Sequence, residues 1–247
     1  MSSKIRVKGI LSLIFMTLSF FMMMDTKYNK ALGDYVVESI GLKSWSAIDT
    51  GFHLTIIYFG ILFLIGIFFV NVNVVVGWNK RKRVVLLYSV VLLSIYYFCI
   101  SSIFILIKSN SNDLLTIGFE NANDSYFEYT SKDQNKIDYF KIKFKLKNYS
   151  SKEKSFSIQI VNTYLEENNS GFLTIYTKDG DLAMFDLLPN EVKEFVLTSN
   201  TYNLKKEINT YVNVNSFIGS IDRIILSDQY GNEVYLDNGK FFGITVK

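Results

Sequence analysis

Three long apolar stretches fill the first 107 residues, and a polar sequence with repeated two-residue alternation fills the rest. The apolar runs cover about Gly9–Met24, Phe52–Val76 and Val84–Ile107. A bilayer core of about 30 Å takes ~20 mainly apolar residues as helix, because in lipid only a helix or a closed barrel satisfies every backbone polar group. The third run carries no charge and reaches that length alone. The second does too, with Asn71 and Asn73 near one end. The first reaches it only if Ile5 and Val7 count and Arg6 and Lys8 snorkel to the headgroups. The pattern therefore predicts a membrane α region of three transmembrane helices over residues 1–107, followed by an all-β domain over 109–247.

The first run also has the basic start and apolar body of a secretory signal. Met22-Met23-Met24-Asp25 follows it, without the small residues of a cleavage site, so an uncleaved signal anchor is expected. Lys/Arg bias next to the spans sets the expected orientation. Lys4, Arg6 and Lys8 precede the first span, and Lys80, Arg81, Lys82 and Arg83 sit in the tight turn before the third, with no acid among them. The 25–51 loop and the β-domain are each net acidic. The N-terminus and the 77–83 turn are thus expected in the cytoplasm, and the 25–51 loop and residues 109–247 outside a plasma membrane. Pinned between two spans, Lys80–Arg83 is read as a topology signal, and no nucleic-acid partner is expected.

Within the 25–51 loop, Leu32, Tyr35, Val36 and Ile40 recur at helical spacing while Asp34, Glu38 and Lys43 fall elsewhere. This predicts an amphipathic helix over about 31–41 lying on the outer leaflet, stopped by Gly41. Trp45, Trp78 and Tyr88 suit the membrane interfaces. In the third span Ser94, Tyr97 and Ser101 share one face, and Gly60 and Gly66 lie in the second. Small and hydroxylated residues of this kind predict helix packing. Lys108–Asp113 reads as a short polar linker.

Tyr139–Lys147 alternates cleanly, with Phe140, Ile142, Phe144 and Leu146 on one face and four lysines on the other. Phe156, Ile158 and Ile160 resume an apolar row after an Asn-Tyr-Ser-Ser-Lys turn, and the two runs are expected to pair as a hairpin. Further strands are predicted over 114–120, 125–130, 171–177, 181–187, 191–198, 221–227, 232–236 and 241–246. A helical turn is predicted around Asn203–Ile208. Short strands between Gly-containing turns over this length predict a β-sandwich.

Candidate chemistry is sparse. His53 is the single histidine and Cys99, in the third span, the single cysteine. No Ser-His-Asp or Cys-His set can form in the β-domain, and no His/Cys metal set exists. Catalytic residues, cofactors and metals are accordingly expected to be absent. His53 reads as a hydrogen-bonded interfacial residue, with pH sensing as the alternative. Acidic turns at Lys178–Asp181 and Asp228–Asn232 read as β-turns, with calcium as the alternative. Glu166-Glu167, Asp222 and Asp237 show no paired-acid pattern. The lysine row on 141–147 reads as a solvated face or edge protection, with attraction to anionic polymer or headgroups as the alternative.

An external domain without a disulfide suits a Gram-positive-type bacterial surface. KFKLKNYSSKEKSFSIQI, then LLPNEVKEFVL, then IDRIILSDQYGNEVYL resemble the small immunoglobulin-like domains of bacterial lipoproteins and membrane-anchored surface proteins. LGDYVVESIGLKSWSAIDTGFH resembles the first external loop of multi-span proteins of Bacillus-like bacteria. The resemblance implies an immunoglobulin-like β-sandwich ectodomain on a bacterial plasma membrane, and carries over no catalytic residue.

The expected role is non-enzymatic. The ectodomain would bind a protein, peptide or cell-wall ligand, with the lipid bilayer and a membrane or surface protein as partners, and the spans would anchor it or relay occupancy. The alternatives are an immunity or exclusion protein against a toxin or phage, or an accessory subunit of a transporter.

Overall fold

The computed structural model describes residues 3–25, 31–47, 50–120, 124–132, 137–161, 172–206, 215–221, 223–237 and 240–246. Glu166, Glu167, Asp222 and the Glu207-Ile208 end of the expected helical turn lie outside the described residues. The chain forms two units, Met1–Ile103 and Phe104–Lys247.

The first unit holds α1 (Ser3–Phe21), α2 (Leu32–Ser39), the short strands β1 (Trp45–Ala47) and β2 (Thr50–His53), α3 (Leu54–Val70), and most of α4 (Lys82–Ser109). α3 continues as a π-helical segment over Asn71–Val76. Leu54–Val76, of 23 residues, and α4, of 28, are long and apolar enough to cross a bilayer. At 1.5 Å per residue both exceed the hydrocarbon thickness of about 30 Å. α1 has 19 residues, including the three basic side chains of its first two turns.

α1 approaches α3 closely because one of the two span glycines lies at the contact. A Cβ on Gly66 would sit 2.7 Å from Met16 Cα, whereas one on Gly60 would meet nothing nearer than Met23 Sδ at 4.0 Å. Leu13, Met16, Val70 and Val74 form the small apolar core there. Polar groups pair across it: the Asn73 amide donates to Ser12 Oγ at 2.9 Å, and Thr17 Oγ1 lies 3.2 Å from Tyr96 OH.

α2 forms where the loop pattern predicts it, and Gly41 follows it at φ +78°. Tyr35, Val36 and Ile40 point outward, and Gly33, Asp34 and Val37 are buried. Here the inward side is chosen by Asp34, which has a partner to meet, and by Gly33, which has no side chain to obstruct the approach.

The second unit begins in the last turns of α4. A 3₁₀ turn (Asp113–Thr116) leads to β3 (Ile117–Phe119), β4 (Tyr126–Ser131), β5 (Tyr139–Asn148), β6 (Lys154–Val161), β7 (Phe172–Thr177), β8 (Phe185–Leu187), β9 (Val192–Thr198), β10 (Tyr202–Lys206), β11 (Asn215–Gly219), β12 (Arg223–Ser227), β13 (Glu233–Asp237) and β14 (Ile244–Val246). One sheet runs β11-β4-β5-β3 with β9 on the other side of β5. The second runs β10-β7-β6-β12-β13-β14 with β8 also on β6. All of these pairs are antiparallel. The described part of Asn203–Ile208 is strand β10, not a helical turn, because its backbone pairs with Leu173–Tyr176 of β7.

β5 and β6 do not form the expected hairpin. They lie in different sheets, and their apolar rows meet across the core: Phe140, Ile142, Phe144 and Leu146 from one, Phe156, Ile158 and Ile160 from the other. Buried Asn148 fixes the arch between them. Its Nδ2 donates to the carbonyls of Lys152 at 2.7 Å, Leu187 at 3.3 Å and Leu188 at 3.1 Å, and its Oδ1 accepts from Ser150 N and Oγ. These bonds hold the chain in a crossing between sheets, where a tight turn would have kept it in one.

Two expectations follow. Gly66→Leu should lower unfolding stability in detergent by about 1–3 kcal/mol through overpacking, while Gly60→Leu stays near wild type. Asn148→Ala should cost about 1–3 kcal/mol in a denaturant titration of the full chain, because buried carbonyls lose their donor.

Candidate functional site

The most organised polar cluster of the first unit gathers Asp34, His53, Trp45 and Thr55. Gly33 allows it. A Cβ there would fall 2.5 Å from Met22 O and 2.7 Å from Thr55 Cγ2, so only glycine lets the start of α2 settle against the ends of α1 and α3. Gly33 N donates to Met22 O at 2.9 Å, which ties the two helix ends. Asp34 is thereby turned inward. β1 and β2 pair in a register that sets Trp45 opposite His53. Their rings stack at 4.3 Å with an 11° tilt. His53 stands immediately before α3, and the first amide of that helix, Leu54 N, donates to Ser44 O at 2.8 Å.

His53 Nε2 and Asp34 Oδ1 are 2.7 Å apart, with side chains 12% and 5% exposed. Three more polar atoms, Asp34 Oδ2, Trp45 Nε1 and Thr55 Oγ1, are buried without a hydrogen-bond partner. No serine, threonine or cysteine among the described residues hydrogen-bonds the imidazole. The pair fastens the β1–β2 hairpin to α2. A cleft of about 490 Å³ beside it is lined by Glu38, Leu42, Lys43, Ser44, Trp45 and Ser46. Ser44 Oγ donates to the Glu38 carboxylate. Trp45 is the side chain that both the cleft and the His–Asp pair share.

The basic residues singled out from sequence gather at the other end of α1. Lys4, Arg6 and Lys8 are exposed on its first turns, and Lys80, Arg81, Lys82 and Arg83 are exposed in the turn and the start of α4. Trp78 Nε1 donates to Ile5 O at 3.1 Å, which brings the two groups together. Ser94 and Tyr97 are exposed, Ser101 is half-buried, and Ser94 Oγ donates back to Val90 O. Within this chain the neighbouring face of α4 makes the contacts instead: Val85 and Leu92 against the apolar core, and Tyr96 against Thr17 and Phe21.

In the second unit the notable group is Lys108, assigned to a linker from sequence. It lies in the last turn of α4 and is 0% exposed. Its Nζ donates to Phe241 O at 2.5 Å and sits 4.9 Å from the Phe241 ring centroid and 5.8 Å from those of Tyr149 and Phe242. Gly118 leaves room for it, since a Cβ there would lie 3.1 Å from Nζ. Aromatic rings surround the amine, and no described carboxylate pairs with it. Position alone made it a linker residue; the clue in the sequence was the Phe241-Phe242 pair far downstream.

The lysine row lies on β5, an inner strand, so it is a solvated face and not edge protection. Lys143 and Lys145 lie 3.2 and 3.4 Å from Glu194, and Lys145 lies 3.9 Å from Asp124. The Lys143 hydrogen bond, joined by Lys145 and opposed by desolvation, holds the Glu194 carboxyl below its ordinary value. In the Asp228–Asn232 turn the Asp228 carboxylate accepts from Tyr230 N, Asn232 N and Asn232 Nδ2. Its oxygens therefore serve their own turn. Among the described residues no cluster of three or more His, Cys, Asp or Glu could hold a metal ion.

No protein-family model matches the chain, and no curated protein or solved structure matches it either.

Removing one partner of a buried hydrogen bond leaves the other unsatisfied at a cost of about 1–3 kcal/mol. His53→Ala should therefore destabilise the first unit by an amount in that range. The Asp34→Asn/His53→Gln double variant should recover part of it, since two amides can hydrogen-bond. A double-mutant cycle on unfolding in detergent, alongside proteolysis in the β1–β2 hairpin, measures the coupling. Simple additivity would show that the pair does not fasten the hairpin.

Proposed function

We propose that this chain is a bacterial multi-pass plasma-membrane protein with three spans, α1, α3 and α4. The N-terminus and the 77–83 turn lie in the cytoplasm, and an immunoglobulin-like β-sandwich faces outward. The sandwich binds a protein, peptide or cell-wall ligand, and α4 passes occupancy to a membrane partner.

The exposed side chains support the spanning part. Leu64, Phe68, Leu86, Leu87 and Phe98 are each more than 60% exposed on helices that a soluble fold would cover. Contiguous apolar surface of this kind calls for a partner or a membrane. α1 shows the same exposure. Its outward positions include Ile10, Leu11, Ile14, Phe15 and Leu18, while its buried ones are Gly9, Ser12, Leu13, Met16, Thr17, Ser19 and Phe21. Large apolar side chains outward, with small and hydroxylated residues among those inside, suit a helix in lipid. The seven exposed basic residues at one end support the orientation.

The observation that carries the binding-and-relay reading is Lys108. In the last turn of α4 the Lys108 side chain is held among Tyr149, Phe241 and Phe242, so this turn packs within the second unit. A stalk meant only to display a domain would need no such lock.

Protease treatment of intact cells should remove residues 109–247 and spare the 77–83 turn. Survival of that half until lysis would reverse the orientation. A photoreactive residue in place of Tyr230, which is 80% exposed at a hairpin tip, should capture one discrete protein or wall component in native membranes. Recovery of lipid adducts alone would defeat the binding role.

A further inference from the structure

A groove of about 590 Å³ opens on the surface of the first unit between α3 and α4. That volume lies within the range of small-molecule sites, roughly 300–1,000 Å³. Its walls include Leu64, Phe68, Val75 and Val85, with Met16 of α1 beneath. Two polar side chains line it, Asn71 and Lys82, toward the end where α3 turns into α4.

The π-helical segment Asn71–Val76 shapes this end. Gly77 N donates to Val72 O and Lys80 N to Val75 O, five residues back in each case. The wider turn adds a residue to the helix circumference, and π-turns of this sort concentrate at functional positions. Here it separates two asparagines. Asn73 turns inward to Ser12, while Asn71 is exposed with no side-chain bond among the described residues. Lys82 is also exposed, and no described carboxylate pairs with it or with Lys80, Arg81 or Arg83.

An apolar trough with an amide donor and an unneutralised ammonium at one end matches a molecule with a long hydrocarbon part and an anionic head. We propose that the groove holds one anionic phospholipid. Its phosphodiester takes the Lys82 ammonium and the Asn71 amide, and an acyl chain runs along Val75, Val85, Phe68 and Leu64. Basic pockets between spans on the cytoplasmic side have this selectivity, because anionic lipid is enriched there and the attraction acts at short range. The proposal rests on the spanning arrangement given above.

The test uses the full chain, purified in mild detergent and stripped of lipid. Phosphatidylglycerol and phosphatidylcholine with identical acyl chains are titrated separately, read by thermal unfolding and native mass spectrometry. Phosphatidylglycerol should raise the unfolding temperature saturably and persist as a one-to-one adduct, and phosphatidylcholine should bind at least about fivefold more weakly. Lys82→Gln should weaken phosphatidylglycerol binding about five- to tenfold, while Arg83→Gln, outside the groove, should change it less than about twofold. Inorganic phosphate should have no effect. Equal binding of the two lipids, equal losses from the two variants, or a photoreactive residue at Phe68 that captures a second copy of the chain would each overturn the site. Alkaline carbonate extraction of the same membranes examines the spanning arrangement separately. Release of the protein would defeat that arrangement, whereas retention without lipid preference would defeat only the groove.

Discussion

The two-sheet domain depends on one crossing, the arch between β5 and β6 at Asn148. A strand with a strict two-residue alternation can bury its apolar row only by laying it against another apolar surface. β5 supplies four large side chains in a row and β6 three more. Had they paired in one sheet, both rows would have needed a third element to cover them. The arch places them face to face, and the Phe195 ring of β9 then stacks on Phe144 at 5.3 Å and meets Phe185 edge-on at 5.7 Å. A carboxamide suits the crossing because it both donates and accepts. Hydrocarbon of the same size would leave the carbonyls of Lys152, Leu187 and Leu188 without its donor.

The strands were legible where alternation was strong. β4, β5, β6, β7, β9, β12 and β13 lie within a residue or two of the positions expected from side-chain pattern alone. The pairing was not legible, because alternation says which way a side chain points and nothing about which edge the backbone meets. β10 illustrates the limit. Tyr202-Asn-Leu-Lys-Lys lacks the β-branched residues that mark strands, and its extended form comes from pairing with β7. That is a tertiary effect overriding weak local preference.

A similar limit applies to the loop that holds the candidate site. The helical spacing of Leu32, Tyr35, Val36 and Ile40 located α2, but not what its polar side meets. What decides the rotation of α2 is contact chemistry at single positions: the lack of a side chain at Gly33 and the His53 imidazole waiting for Asp34. Neither has a periodic signature. His53 was legible as an interfacial residue needing a partner. The identity of that partner was not legible: Asp34 stood off the apolar face of α2, and nothing periodic linked it to residue 53.

The distribution of polar contacts on α1 carries the argument one step further. α1 buries Leu13, Met16 and Phe21, but most of its large side chains face outward, where lipid would offer an equally apolar surface. Close approach and directed bonds add to that small apolar contact. The structure supplies them at intervals along its whole length: Trp78 to the Ile5 carbonyl at the basic end, Asn73 to Ser12 and Tyr96 to Thr17 between, and Gly33 to the Met22 carbonyl beside Asp34. Each bond is short-range and fixes a rotation and a height, which a greasy stripe alone would leave free to slide. The least apolar of the three proposed spans is thus fixed by directed hydrogen bonds along its length, and it is the element on which both the basic end and the His–Asp end are registered.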